Sequence, residues 1–173
     1  MEAVMCGLNM KQLGELVAAV KENPDMGRTV WRAKSHWTNG FLVKSETHGH
    51  EVVMDEDNAF GGTNAGPNPV EMVLASLGSC LSMGFALNSA VMGIEVKNLD
   101  IDLDGNIDLQ GYIGLQPEPD QDPLPKFTEI RAKVSLNSTG SKEQEQTLLE
   151  RVFATSPVGT TLANGVRIVP ELV

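Results

Sequence analysis

The chain has 173 residues, enough for one domain with an adequate core, and its 41% hydrophobic and 21% charged content is that of a soluble globular protein. Thirteen basic residues against 23 acidic ones leave a net charge of −10, and no lysine or arginine run offers the basic surface that nucleic acid requires. The start, MEAVMCGLNMKQ, has no basic segment followed by an apolar one, and two distant cysteines make no disulfide framework, so the cytoplasm is the expected compartment.

Leu8, Leu13, Leu16, Val17 and Val20 recur at helical spacing over 8–22, and Asn23-Pro24 ends that helix. From Thr29, TVWRAKSHW alternates into Asn39-Gly40, a strong hairpin signal. FLVKSETHGHEVVMDE then supplies a return strand, a turn at His48-Gly49 and a third strand, which makes an antiparallel meander. GGTNAGP (61–67) is a loop that leads into a helix start. There Asn68 is the N-cap, Pro69 the first helical residue and Glu71 the third, at the spacing of a capping box.

The uncharged run Met72–Ile94 is long enough to cross a bilayer. Four serines, three glycines and Asn88 dilute it, and neither positive charge nor an aromatic belt flanks it. No membrane span is expected. The run predicts a central helix buried on all sides by its own protein and a partner subunit.

After Gly93, VKNLDIDLDGNIDLQGYIGL alternates, a proline- and acid-rich loop (QPEPDQDPLPK) follows, and TEIRAKVSLN is the next strand. Ser141, with Gln144 three positions on, opens a helix whose apolar stripe is Leu148, Leu149, Val152 and Phe153. Ser156-Pro157 breaks that helix and caps a shorter one, VGTTLA, which Asn164-Gly165 ends. VRIVPEL is predicted as a closing strand. The order is α+β with sheet and helices segregated, without internal repeats.

Three motifs imitate binding sites. Asp100-Ile-Asp102-Leu-Asp104-Gly105-Asn106-Ile-Asp108 has acids and glycine at calcium-loop positions, but Gly111 stands where the bidentate glutamate belongs. The same residues alternate as a strand with its acids in water, Asp104-Gly105 or Gly105-Asn106 serving as a turn. His48 and His50 flank the turn glycine Gly49, His36 lies on another strand, and a metal site needs three or four convergent ligands. No metal and no cofactor is expected. The glycines of 61–67 lack the lysine and spacing of a phosphate loop.

Cys80 lies among Ser76, Gly78, Ser79, Ser82 and Gly84. Such a thiol is either a small core side chain or a protected reactive centre. It sits about 11 residues into its helix, about 16 Å from the N-terminus at 1.5 Å per residue, beyond reach of that end's partial charge. Activation would need an arginine, or another helix end, brought in by the fold.

The stretch DEDNAFGGTNAGPNPVEMVLASLGSC resembles the OsmC/Ohr family, proteins of osmotic induction and organic hydroperoxide resistance. The shared features are a glycine loop, an N-P-x-E helix start and a cysteine about ten residues later. Agreement runs on through GFALNSAVMGIEVKNLDIDLDG, the P-x-F-T-E-I strand and SPVGTTLANGV. It divides the chain into an N-terminal helical extension, 1–27, and an OsmC-like domain, 28–173. The resemblance implies an intertwined α+β homodimer with its thiol sites at the subunit interface. It also implies a peroxidase cycle in which the helix cysteine, matching Cys80, becomes a sulfenic acid and condenses with a second cysteine near the last helix pair.

This chain departs from that pattern. Ser156 occupies the second cysteine's position, the hairpin turn Thr38-Asn39-Gly40 holds no arginine, and Arg28 and Arg32 precede it. Val70 stands where the strongest hydroperoxide-resistance members carry glutamate, while Glu71 fits the broader OsmC-like pattern. The expectation is a thiol-dependent peroxidase with Cys80, Glu71 and Ser156 as its site residues. It would work by a one-cysteine cycle on small organic hydroperoxides, with an external thiol reductant, slowly and faster at alkaline pH. The rival readings are a non-catalytic dimer that binds an apolar small molecule in its interface groove, and a structural or regulatory dimer with no ligand.

Overall fold

The computed structural model describes residues 4–115 and 125–172, so most of the proline- and acid-rich loop lies outside the described residues. The chain divides into two compact units, Met1–Ser76 and Leu77–Val173.

The first unit begins with a hairpin of β1 (Val4–Met5) and β2 (Leu8–Asn9), turning through Cys6 and Gly7 at φ 48° and 76°. Positive φ at both central residues is the hairpin turn that matches strand twist. A cysteine there gave no turn signal, and the sequence reading began its helix at Leu8, within β2. The helix α1 instead spans Met10–Glu22, because Asn9 caps it by accepting from the backbone N–H of Lys11 and Gln12. Asn23-Pro24 ends it as expected, and Asn23 caps a 3₁₀ turn over Pro24–Gly27.

The meander forms as β3 (Lys34–Asn39), β4 (Leu42–Thr47) and β5 (His50–Met54), antiparallel in that order. Its first strand starts at Lys34, not Thr29. The turns fall at Gly40 and at His48-Gly49, where φ is positive at all three residues. Beyond β5, Asp55 anchors the loop into α2 (Pro69–Met92). Its carboxylate accepts from the backbone N–H of Glu56 (2.8 Å), Thr63 (2.9 Å) and Ala65 (3.2 Å), and from the Thr63 hydroxyl. Gly66 is required here, since a Cβ would lie 2.4 Å from the Val53 carbonyl oxygen.

In the second unit, β6 (Val96–Ile107) and β7 (Phe127–Ser138) pair antiparallel from Val96↔Ser138 to Ile107↔Phe127. The turn expected at Gly105 is absent: β6 runs straight through, with Gly105 opposite Ile130. A Cβ at Gly105 would meet the Phe127 ring at 2.7 Å, so glycine serves close packing within the strand. Asp100, Asp102 and Asp104 lie on its exposed face, where Asp104 pairs with Arg131. The calcium-like spacing is therefore a strand period.

Leu99, Ile101 and Leu103 of β6, with Ile130, Val134 and Leu136 of β7, pack against Leu77, Leu81 and Phe85 of α2 and Leu148 and Val152 of α3 (Lys142–Thr155). Leu81, Phe85, Leu148 and Val152 have no exposed surface, and full burial of such a side chain contributes about 1.5–3 kcal/mol. Ser141 and Gln144 form the anticipated capping box of α3. Ser156 then joins α3 to α4 (Pro157–Asn164), which Gly165 ends at φ 70°.

One expectation fails here. Residues 165–172 form no strand, and Val166, Ile168, Val169 and Leu172 are exposed. Their alternation finds no ladder partner among the described residues, and Pro170 removes a donor. One protomer by itself covers part of α2. By length and composition it could cross a membrane. Leu77, Leu81 and Phe85 are instead enclosed by protein, while Met83, Leu87 and Val91 face outward.

Candidate thiol site

Small residues let other elements approach α2 on both sides of Cys80. A Cβ at Gly78 would lie 3.1 Å from Leu103 of β6, and one at Gly84 would lie 3.0 Å from Val152 of α3. The helix is crossed closely at both points. Cys80, half-buried and a free thiol, sits between them.

The α3–α4 junction reaches the sulfur. Ser156 precedes proline, which disfavours helical geometry, and at φ −73° and ψ 115° its extended backbone separates the two helices. Its side chain, 3% exposed, lies 3.2 Å from Cys80 Sγ. The same oxygen accepts the Gly159 N–H at 3.0 Å and so caps α4. The Ser156 proton is thus available to the sulfur, and a donor polarised by another hydrogen bond is a stronger donor. The Cys80 thiol therefore faces the N-terminal end of α4, where partial positive charge gathers. This is a helix end other than its own.

Of the residues singled out in the sequence, the fold brings Cys80 and Ser156 together. Glu71 is engaged at the start of α2. It accepts the Asn68 N–H at 2.9 Å, while its own N–H donates to Asn68 Oδ1 at 2.8 Å, which completes the capping box. Arg28 pairs with Asp25 at 2.9 Å and Arg32 is exposed. Among the described residues no arginine hydrogen-bonds to Cys80, whose side chain bonds to Ser156. His48 occupies a left-handed turn position and is exposed, as are His50 and His36. Among the described residues no group of three or more His, Cys, Asp or Glu side chains could hold a metal ion.

Sequence reasoning missed a second polar contact on α2. Asn88, 6% exposed, accepts Arg151 Nε at 2.6 Å and donates to the Gly84 carbonyl at 2.9 Å. An asparagine inside an uncharged helix was the signal. Its partner, 63 positions away on α3, was not legible.

Asp55 carries the strongest resolved electrostatic effect in the first unit. The Thr63 hydroxyl, then the N–H groups of Glu56, Ala65 and Thr63, hold its pKa down to about 2 against the opposing effect of burial. The four donors make it a fixed anion that shapes the loop before α2.

No curated protein matches this chain. Among solved structures, an OsmC-like protein from Mycoplasma pneumoniae superposes with a TM-score of 0.67 at 14% identity, over 79% of this chain and 89% of that one. An organic hydroperoxide resistance protein OsmC from Legionella pneumophila gives 0.52 at 16% identity, over 79% and 90%. One from Elizabethkingia anophelis gives 0.52 at 19% identity, over 79% and 92%. At these identities the likeness establishes the fold. The family itself follows from residues 62–171, which match the model of the OsmC-like proteins from the glycine loop, through the Cys80 helix, to the chain's end. The chain belongs to the OsmC-like protein family, in the group that has no second cysteine beside the helix thiol.

Proposed function

We propose that this OsmC-like protein reduces organic hydroperoxides at Cys80 by a one-cysteine cycle, as a cytoplasmic homodimer. The 3.2 Å approach of Ser156 Oγ to Cys80 Sγ, made from the capped end of α4, is the observation that carries the reading. The hydroperoxide-resistance names of the Legionella and Elizabethkingia structures support the substrate class.

In this cycle the Cys80 thiolate attacks the terminal peroxide oxygen. An S–O bond forms, the O–O bond breaks, and the leaving alkoxide takes a proton and departs as an alcohol. Sulfur gives up two electrons and becomes sulfenic acid. Ser156 forms no disulfide with it. One external thiol displaces the sulfenic oxygen as water and forms a mixed disulfide. A second then restores the Cys80 thiol and leaves as the external disulfide.

Ser156 serves as hydrogen-bond donor to the anionic sulfur, its own oxygen being held by Gly159. Glu71 acts through the cap of α2 as a positioning residue. A second copy would cover the outward apolar side chains of α2, Met83, Leu87 and Val91, and those of the C-terminal segment.

The test is steady-state hydroperoxide consumption with an excess of a dithiol reductant. Wild type and Cys6→Ala turn over, while Cys80→Ala falls to the uncatalysed rate. Equal rates for Cys80→Ala and wild type would refute the assignment.

A further inference from the structure

The chain holds two asparagine–glycine pairs, Asn39-Gly40 and Asn164-Gly165. An asparagine followed by glycine can cyclise in water. The glycine backbone nitrogen bonds to the side-chain carbonyl carbon, the carbon–nitrogen bond of the amide breaks, and ammonia leaves from a five-membered succinimide. Glycine favours the step because it has no Cβ to obstruct the attack and its backbone turns freely. Water then opens the ring at either carbonyl and gives aspartate or isoaspartate. The balance is one water consumed and one ammonia released, with no change of oxidation state.

The fold treats the two pairs differently. Asn164 is the last residue of α4, and its side-chain nitrogen donates to the Thr160 carbonyl at 2.8 Å. The attacking group of that pair, the Gly165 N–H, donates to the Thr161 carbonyl at 2.8 Å. Nucleophile and leaving group are both held.

Asn39 ends β3, and Gly40 opens the turn at φ 54°. Both residues are exposed. The ladder closes on Asn39 and Leu42, which leaves the N–H of Gly40 outside it. Among the described residues neither that N–H nor the Asn39 side chain has a hydrogen-bond partner. What the hairpin fixes at Gly40 is the carbonyl, which accepts Trp37 Nε1 at 2.9 Å.

The geometry points to Asn39 as a site of spontaneous deamidation through a succinimide with Gly40, and to Asn164 as the protected pair. The modification is independent of the thiol chemistry. It places a carboxylate at the tip of the β3–β4 hairpin in a chain that already carries a net charge of −10. The isoaspartyl product also lengthens the backbone by one atom at the turn, where Asn39 faces Leu42.

The experiment ages the full chain at mildly alkaline pH, below its melting transition, with a parallel sample unfolded in concentrated urea. Melting curves before and after verify that the native sample stays folded. Both samples are digested and mapped by mass spectrometry, with aspartyl and isoaspartyl peptides separated by chromatography. In the native protein the Asn39 peptide converts first. The Asn164 peptide lags by about tenfold or more, since two hydrogen bonds must open before its ring can close. In urea neither pair is held, and the lag disappears. Native Asn39 that stays intact would overturn the assignment, whatever the peptide does in urea. Native Asn39 and Asn164 converting at one rate would overturn it as well.

Discussion

In residues 77–173 the centre is aliphatic: Leu81, Phe85, Leu148 and Val152 are fully enclosed between two helices and a two-stranded sheet. In residues 1–76 the most deeply enclosed side chain is a carboxylate, Asp55, and among the described residues there no hydrophobic side chain is fully buried. The contrast separates two ways of ordering a chain. Area removed from water holds the second unit, and its strength depends little on pH. Converging donors on one fixed anion hold the loop of the first unit, and that device weakens with acid. The thiol belongs to the aliphatic unit, where the sulfur and its hydroxyl partner are held by packed helices.

The largest expected effect that sharpens this contrast is in the aliphatic centre. Phe85→Ala should destabilise the protein by about 3–5 kcal/mol, the usual cost of emptying an aromatic core position. Chemical denaturation measures it, and a loss within the range of surface substitutions would show that this side chain does not anchor the unit.

Asp55 should behave differently. Its pKa is about 2 against an ordinary 3.8, so its stabilisation is fully present above pH 4 and is lost as pH falls from there towards 2. Asp55→Asn should be less stable than wild type at neutral pH, and the difference should narrow across that window. Melting temperatures of the two proteins from pH 6 to 2 show it, and parallel curves would contradict the anion's role.

A smaller effect belongs to the caps. Ser141→Ala removes the acceptor that Gln144 N–H uses and should cost about 1 kcal/mol. Ser156→Ala should cost about as much by uncapping α4, and should also slow Cys80 oxidation, which Ser141→Ala leaves unchanged. Thiol oxidation rates after dilute hydroperoxide distinguish them. Equal rates in the two variants would confine Ser156 to its cap.

What the sequence made legible follows the range of the interaction. The boxes Asn68–Glu71 and Ser141–Gln144, and the turns at Gly40 and Gly49, are decided within four residues and were read correctly. The α+β order and the buried rows of β6 and α3 follow from periodicity. Gly105 was misread because its reason is the Phe127 ring, 22 positions away. The terminal VRIVPEL was misread because alternation proposes a strand and only a partner makes one. Of the site, Cys80 came into view from the small residues around it in the uncharged run, and Ser156 through the family's motifs. Their 3.2 Å contact, and the Asn88–Arg151 pair, belong to helix packing that no local pattern encodes.

The most direct measurement of the central claim is site-resolved oxidation. The protein is treated with one equivalent of an organic hydroperoxide in the presence of a sulfenic-acid trap, digested and sequenced by mass spectrometry, alongside Ser156→Cys. We predict trapped sulfenic acid at Cys80 in the wild type, and in Ser156→Cys a Cys80–156 disulfide in its place, since 3.2 Å already separates the two side chains. Unmodified Cys80 in both proteins, with the peroxide unconsumed, would contradict the account.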